Sequence, residues 1–185
     1  MILDNKVLIS LLKAINCISK DKTRYYLNGV FFVLTEEKQL EIVASDGHIL
    51  YYNKLDYNYS LSEQEESFLK NGLIINFDKR EIKKLLNTKE EFKCDIFMDK
   101  KIFFIERKYC EIIDFDYVDY KSVIPETNKE NLSDKFIYID PKFLTIAEKL
   151  IDGHSTYVFK DRIMFKKYNE RIIIVSTKVA YNEVK

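Results

Sequence analysis

The sequence has only three cysteines, an odd number, and no two of them form a CxxC pair. Cys17, Cys94 and Cys110 therefore cannot be divided into a disulfide framework, and their spacing does not match a zinc site. We expect them to serve as small apolar residues in a reducing compartment.

An excess of charge of either sign is also missing, because 30 basic residues balance 30 acidic ones. Any affinity for nucleic acid would therefore come from segregated charge. Long apolar runs are missing too. Polar side chains interrupt the first twenty residues, MILDNKVLISLLKAINCISK, every few positions, which excludes a membrane span or signal-peptide core there. With no sign of export, we expect a cytoplasmic protein.

The sequence contains no GxSxG, HExxH or P-loop motif. It has two histidines. His48 follows an Asp-Gly pair that predicts a hairpin turn, and His154 follows a glycine typical of a helix end. We therefore expect no catalytic centre, no metal site and no cofactor, and we consider an enzyme the least favoured class of function.

Three segments of the 185 residues share one plan, namely a short apolar strand, a helix-capping aspartate, an amphipathic helix and then apolar strands. The segments begin MILD, LIINFD and FIYID, and the predicted caps are Asp4, Asp78 and Asp140, with Pro141 at a favoured first helical position. The second and third segments match without gaps at an offset of 62 residues, from Asp78 to Asp140. CDIFMDKKIFF and YVFKDRIMFKK are therefore predicted to be equivalent hairpins.

In the first unit, RYYLNGVFFVL, LEIVASD and HILYYNKL predict three antiparallel strands after the helix. Polar segments at 56–72 and 124–135 separate the units. We predict an α+β fold built of repeated strand-helix-three-strand units, with helices on one face and antiparallel sheets on the other.

Basic residues recur on the predicted helices. Lys6, Lys13 and Lys20 are spaced by seven, which would keep them on one face of the first helix. Solvation of exposed helix faces would explain any single case, but recurrence on three helices favours a basic surface that binds phosphates without reading sequence. The candidate residues of this phosphate-binding surface are Lys6, Lys13, Lys20, Lys79, Arg80, Lys83, Lys84, Lys142 and Lys149.

Three motifs, TRYYLNGVFF, LEIVASDGHIL and DYVDYKSVIP, resemble in order and spacing the middle domain of the bacterial sliding clamp, the β subunit of the replicative DNA polymerase. FIYIDPKFLTIAEKLI and RIIIVSTKV resemble the closing half of the last domain of that family. The resemblance implies a DNA-clamp fold with one complete domain at 1–125, made of units 1–57 and 72–125, and a half domain at 134–185. It also implies a non-catalytic processivity factor whose ring, with basic helices inside, encircles duplex DNA.

The family also has a hydrophobic pocket that binds short peptides of polymerases and clamp loaders. By motif match, the resemblance assigns this pocket to Leu27, Ser45, Gly47, His48, Ile49, Leu50, Val118, Ser122, Val123, Asp140, Phe143, Ile163, Ile173 and Val175. An apolar slot with few polar groups suits capture of leucine and phenylalanine anchors.

The sequence is short for this family, whose chains hold six repeat units and close a ring of twelve as a dimer. Three units per chain predict a homo-oligomer in which four copies supply the twelve units. The main alternative is a truncated clamp mimic from a phage or mobile element, which would keep the peptide pocket and modulate a host clamp without encircling DNA.

Overall fold

The computed structural model describes residues 1–88, 91–106, 108–127 and 137–176. Its helices are α1 (Asn5–Ala14), α2 (Glu63–Asn71), α3 (Lys79–Leu86) and α4 (Pro141–Leu150), with 3₁₀ turns at Ile15–Cys17, Lys22–Leu27 and Lys121–Val123. Its strands are β1 (Ile2–Leu3), β2 (Val30–Leu34), β3 (Gln39–Ser45), β4 (Ile49–Asp56), β5 (Leu73–Asn76), β6 (Phe92–Phe97), β7 (Ile102–Ile105), β8 (Lys108–Ile113), β9 (Ser155–Val158), β10 (Arg162–Lys167) and β11 (Glu170–Val175).

These strands join in one sheet, in the order β1-β6-β7-β8-β5-β2-β3-β4-β11-β10-β9. Every pairing is antiparallel. The predicted α+β class with antiparallel sheets is therefore confirmed. No helix in the described ranges is long and apolar enough to cross a membrane.

The three predicted helix starts are confirmed by their capping aspartates. Asp4 accepts a hydrogen bond from the Val7 amide at 2.9 Å, and Asp78 accepts one from the Arg80 amide at 2.7 Å. Asp140 accepts one from the Lys142 amide at 3.0 Å, with proline in the first turn of α4 as expected. Each carboxylate satisfies an amide that the helix itself leaves without a partner.

The first two units exchange the strands that precede their helices. β1 of the first unit pairs with β6 of the second, and β5 of the second unit pairs with β2 of the first. The helices α1 and α3 that follow these strands pack side by side. The first two units are therefore held together by reciprocal pairing as well as by a shared core.

The third unit continues the sheet, because β11 pairs with β4 of the first unit. The apolar strand predicted ahead of the third helix is wrong for residues 137–140, which form neither helix nor strand. The equivalent strands β1 and β5 form by pairing with another unit. The described chain holds no fourth unit that would play this part.

Two local predictions also need correction. Residues of the RYYLNG motif form the 3₁₀ turn Lys22–Leu27, and the strand begins only at Val30. The Asp21 carboxylate starts this turn by accepting the Thr23 amide at 2.9 Å. The segment 56–72, predicted only as a polar separator, contains α2, which a capping box of Ser62 and Glu65 begins.

The sheet separates two apolar layers. On the helix side, the main core includes α1 residues such as Leu8 and alternate strand residues such as Ile49 and Tyr51. On the outer side, a smaller cluster contains Leu50 and Tyr52 among other residues. Neighbouring strand positions point to opposite faces, so this alternation decides which predicted site residues can meet.

Candidate functional site

The Asp46-Gly47-His48 stretch forms the predicted hairpin turn. The Asp46 carboxylate accepts hydrogen bonds from the amides of His48 at 2.8 Å and Ile49 at 2.9 Å. Gly47 has a φ of +92°, in the left-handed region that favours glycine. Ser45 Oγ accepts the Gly47 amide at 3.0 Å and donates to the Ile49 carbonyl at 2.9 Å. The turn is therefore tightly fixed, with Gly47 and His48 exposed at its tip.

Strand register aligns several predicted pocket residues on the outer side of the sheet. Ser45 lies opposite Leu50, Leu50 opposite Ile173, and Ile173 opposite Met164. Leu50 and Ile173 are 3% and 0% exposed and belong to the outer cluster. Val175 lies two positions after Ile173, so it faces the same side. We call Ser45, Leu50, Met164, Ile173 and Val175 the outer patch.

The segment that contains VDYKSVIP covers this side of the sheet. Tyr120 donates its hydroxyl hydrogen bond to the buried Glu41 carboxylate, and Tyr52 donates to the same carboxylate at 2.9 Å. Burial, and then the hydrogen bond to Glu41, raise the pKa of Tyr120. Lys121 places its ammonium 3.8 Å from Glu41. These contacts hold the segment at a fixed position beside the outer patch.

Further along this segment, Val123 packs against the outer cluster. The Val123 carbonyl accepts a hydrogen bond from Arg162 Nη1 at 2.7 Å, which links the segment to the third unit. Val118 is 37% exposed, and Ser122 is also exposed. The fold thus brings Val123 to the outer cluster and leaves Val118 and Ser122 open to solvent on the covering segment.

Other residues assigned to the pocket lie elsewhere. Ile49 and Phe143 are buried in the main core on the helix side, and Ile163 packs against that core. Ile49 precedes Leu50 and Ile163 precedes Met164, so alternation along the strand turns each away from the outer patch. We therefore leave these three residues out of the proposed pocket.

Three further assignments have local roles in the structure. Asp140 caps α4. Leu27 is buried at the end of its 3₁₀ turn, where its carbonyl accepts the Ser19 amide at 2.9 Å. The His48 ring stacks on Phe143, with ring centroids 5.7 Å apart, so the hairpin tip contacts the start of α4.

The predicted basic residues lie mostly on the exposed surface of the helix side. The exposed members on α1, α3 and α4 are Lys6, Lys79, Arg80, Lys83, Lys84, Lys142 and Lys149. The Arg80 side chain is 89% exposed. Lys84 forms an ion pair with Glu81 at 2.8 Å and Lys142 forms one with Asp140 at 2.9 Å. Such exposed pairs are weak and exchange readily with other anions.

Lys13 and Lys20 differ from this group. The helix α1 ends at Ala14, so Lys20 lies beyond it, and the prediction that a spacing of seven keeps it on one helix face is wrong. The chain leaves helical geometry because Ile15–Cys17 form a 3₁₀ turn and Ile18 is extended. Lys13 remains on α1, but its ammonium is paired with Glu170 at 2.8 Å.

The cysteines occupy buried or half-buried positions, as expected for small apolar residues. Cys17 and Cys94 are fully buried, and burial raises the pKa of both thiols. Burial also raises the pKa of Cys110 to about 11. Thiols with raised pKa values stay protonated near neutral pH and react slowly. Within the described ranges, no group of three or more His, Cys, Asp or Glu residues is placed to hold a metal ion.

No family model matches the sequence. The beta sliding clamp of Borreliella burgdorferi is 32% identical over 112 residues, which are 59% of this chain and 27% of the relative. The structure resembles the DNA polymerase III β subunit of Thermotoga maritima, with a TM-score of 0.74 and 17% identity over 97% of this chain. It also resembles the sliding clamp of Bacillus subtilis, with a TM-score of 0.72 and 14% identity over 96% of this chain.

The chain spans only 65% and 64% of the lengths of these two structures. Within that span, the strands and helices follow the sliding-clamp fold. The resemblance that the three sequence motifs indicated is thereby confirmed.

Proposed function

Because this chain has the sliding-clamp fold, we propose that it is a non-catalytic DNA polymerase processivity factor. Copies of the chain form a ring around duplex DNA and bind partner peptides on its outer side. The observation that carries this proposal is the two-sided construction of the sheet. Helices α1, α3 and α4 cover one side with exposed lysine and arginine, and the outer patch lies on the other.

Exposed cations on the helix side suit a duplex that is held without sequence reading. Lysine and arginine on helix surfaces attract phosphates through charge, and such contacts carry no information about the bases. The zero formal net charge of the chain does not oppose this role, since α1, α3 and α4 carry eight lysine and arginine residues against two glutamates. Binding of this kind weakens steeply as salt rises, so lasting attachment to DNA would depend on ring closure.

The outer patch suits an extended peptide with large apolar anchors. The hairpin tip with Gly47 and His48 is exposed at one end, and exposed Val118 lies on the covering segment. The peptides would come from a DNA polymerase or a clamp loader. Leu50, Met164 and Ile173 are buried, so the peptide would contact the half-buried Val175 and the exposed residues of the hairpin tip and the covering segment.

Three units per chain favour a ring of four copies, since a clamp ring holds twelve units. In a closed ring of identical chains every copy makes the same interfaces, which point-group symmetry provides. The complete domain at 1–125 and the half domain at 134–185 would be the parts that this ring repeats. A replicative role of this kind places the protein in the cytoplasm.

Retention on circular DNA tests the proposal. The protein is mixed with a nicked circular plasmid, passed through a sizing column in salt that disrupts simple electrostatic binding, and compared with the same plasmid cut once. We expect the protein to stay with the circle and to leave the linear DNA, because a ring can slide off an end. Equal retention on the two forms, or none on either, would contradict the proposal.

A second function, that of a clamp mimic, is favoured by one specific observation. The outer patch is built from β3, β4, β10 and β11 of a single chain, so peptide binding would not require a ring. Such a protein would compete with a host clamp for its partners. Primer extension separates the two functions, because a clamp lengthens the products of its polymerase and a mimic shortens them when a conventional clamp is present.

A further inference from the structure

The strand exchange between the first two units uses the same position of the donated strand in both directions. In β1 and the residue before it, Met1 accepts the Cys94 amide at 2.7 Å, and Ile2 lies opposite Lys93. In β5, Ile75 lies opposite Val30. Met1 and Ile75 each stand three positions before the capping aspartate of their unit. The same position of the donated strand therefore meets the first strand after the helix of the other unit.

The third unit carries both halves of this arrangement. Ile137 stands three positions before Asp140, as Met1 and Ile75 do before their aspartates. At the offset of 62 residues, Thr156 on β9 corresponds to Cys94. A donor segment and an acceptor strand are thus both present, but they belong to the same unit.

The acceptor strand has the right backbone orientation. The Phe159 amide donates to the Arg162 carbonyl at 2.9 Å, which makes this a hydrogen-bonded pair of the β9–β10 ladder. Hydrogen-bonded and non-hydrogen-bonded pairs alternate in antiparallel sheets, so Thr156 directs its amide and carbonyl away from β10. In the described part of the chain, no strand pairs with that side of β9. An edge of this kind is a template for another strand.

The packing of the helices, like the open edge of β9, indicates that the third unit lacks a partner among the described residues. In the first two units, α1 and α3 pack against each other, whereas the main neighbour of α4 is β11 of its own unit. Leu144 and Ile146 on α4 are only half-buried. The third unit therefore lacks, within the described ranges, the neighbouring helix that each of the other two has.

We infer that the third unit binds the third unit of a second copy of this chain by reciprocal strand exchange. Residues 137–139 of each copy add to the outer edge of β9 of the other, with Ile137 opposite Thr156 and Tyr138 opposite Ser155. A second copy fits because its β9 would accept the donor segment of this copy and its donor segment would pair with β9 of this copy, in the same register, about a two-fold axis. The purpose of the interface, joining copies in a ring, rests on the proposed function, but its geometry does not.

Disulfide trapping between two chains tests the register. One chain carries Tyr138→Cys and the other Ser155→Cys, both at exposed positions and both with Cys110→Ser. Position 138 corresponds to Ile2, which lies next to the hydrogen-bonded pair of Met1 and Cys94. Position 138 is therefore expected in a non-hydrogen-bonded pair, whose short Cα separation suits a disulfide.

Oxidation of the mixture is expected to give a cross-linked dimer at several times the yield of either variant alone. The matched control pairs Tyr138→Cys with Lys160→Cys, an exposed residue in the turn after β9, out of register. A yield no higher than this control would overturn the inference.

A second variant tests the edge without a cross-link. Thr156→Pro removes an amide that points away from β10, so β9 should stay paired with β10 while the exchange is lost. The solution mass should fall with the circular dichroism spectrum unchanged, and an unchanged mass would contradict the inference. Specific cross-linking without retention on circular DNA would support the interface and contradict the proposed ring. Retention on circular DNA without specific cross-linking would support the ring and contradict this interface.

Discussion

Lys13 on α1 and Glu170 at the start of β11 form a two-contact ion pair across 157 residues of sequence. The ammonium lies 2.8 Å from each carboxylate oxygen, and Tyr51 donates a hydrogen bond to the same carboxylate at 2.7 Å. Ser10 adds a further contact to Tyr51 at 2.9 Å. The third unit is therefore held to the first by a polar network as well as by the pairing of β11 with β4.

Removal of the charge on Glu170 should loosen this junction. Glu170→Gln leaves the half-buried Lys13 ammonium without its counter-charge, and we expect a loss of about 1–3 kcal/mol in the free energy of unfolding. Urea unfolding measures the change. The control is Glu148→Gln on the exposed surface of α4, with an expected change of at most about 0.5 kcal/mol. Equal effects of the two substitutions would show that the ion pair does not support the junction.

Neutralising cations on the helix side should weaken DNA binding. For Arg80→Ala with Lys83→Ala, the slope of log affinity against log salt should become shallower by roughly 2, since each phosphate contact contributes about 0.9. Fluorescence anisotropy with a short duplex gives the slope. The matched control is Lys100→Ala with Lys160→Ala, at two exposed hairpin-turn positions. If the control lowered the slope as much, the helix side would not be the DNA surface.

A charge on the covering segment should impair peptide binding. Val118 is 37% exposed, so Val118→Asp should fold while placing a carboxylate on the segment that covers the outer side of the sheet. We expect at least about a tenfold loss of affinity for a clamp-binding peptide, because an apolar anchor would have to desolvate the charge. Isothermal titration gives the affinity. Ile9→Asp, which changes an exposed apolar residue of α1, should bind the peptide normally.

Alkaline pH should destabilise the fold through Tyr57. Its hydroxyl accepts the Ile2 amide at 2.8 Å and donates to the Ile2 carbonyl at 3.1 Å, and burial raises the pKa of Tyr57 to about 12 from an ordinary value of 10.0. The folded state therefore binds more protons than the unfolded state between these values. The resulting stability is complete below pH 10 and is lost as the pH rises towards 12.

Urea unfolding at a series of pH values from neutral to strongly alkaline measures this loss. Tyr57→Phe should flatten the alkaline fall in the free energy of unfolding, whereas Tyr168→Phe, at a largely exposed residue, should not. Identical pH profiles of Tyr57→Phe and the unchanged protein would contradict the assignment.

Features fixed by neighbouring residues could be predicted from the sequence. The caps at Asp4, Asp78 and Asp140 depend on amides two or three residues away, so the local pattern was sufficient. The capping signal of Ser62 and Glu65 also predicts the start of α2, although the polar composition of 56–72 is typical of a linker.

Features that depend on distant parts of the chain could not be predicted. The motif match placed Ile49 and Leu50 in one pocket, but strand alternation sends them to opposite faces. The spacing of Lys13 and Lys20 gave no sign that α1 would end before the second, or that the first would meet Glu170. Such outcomes follow from how the units pack, which no short stretch of sequence encodes.

The mass of the protein in solution tests the central claim, that copies of this chain assemble into a ring. One chain has a mass of 22.1 kDa, so four copies predict about 88 kDa. Light scattering at micromolar concentration and physiological salt should give this value, and Thr156→Pro should lower it. A mass of 22.1 kDa for the unchanged protein under these conditions would contradict the ring.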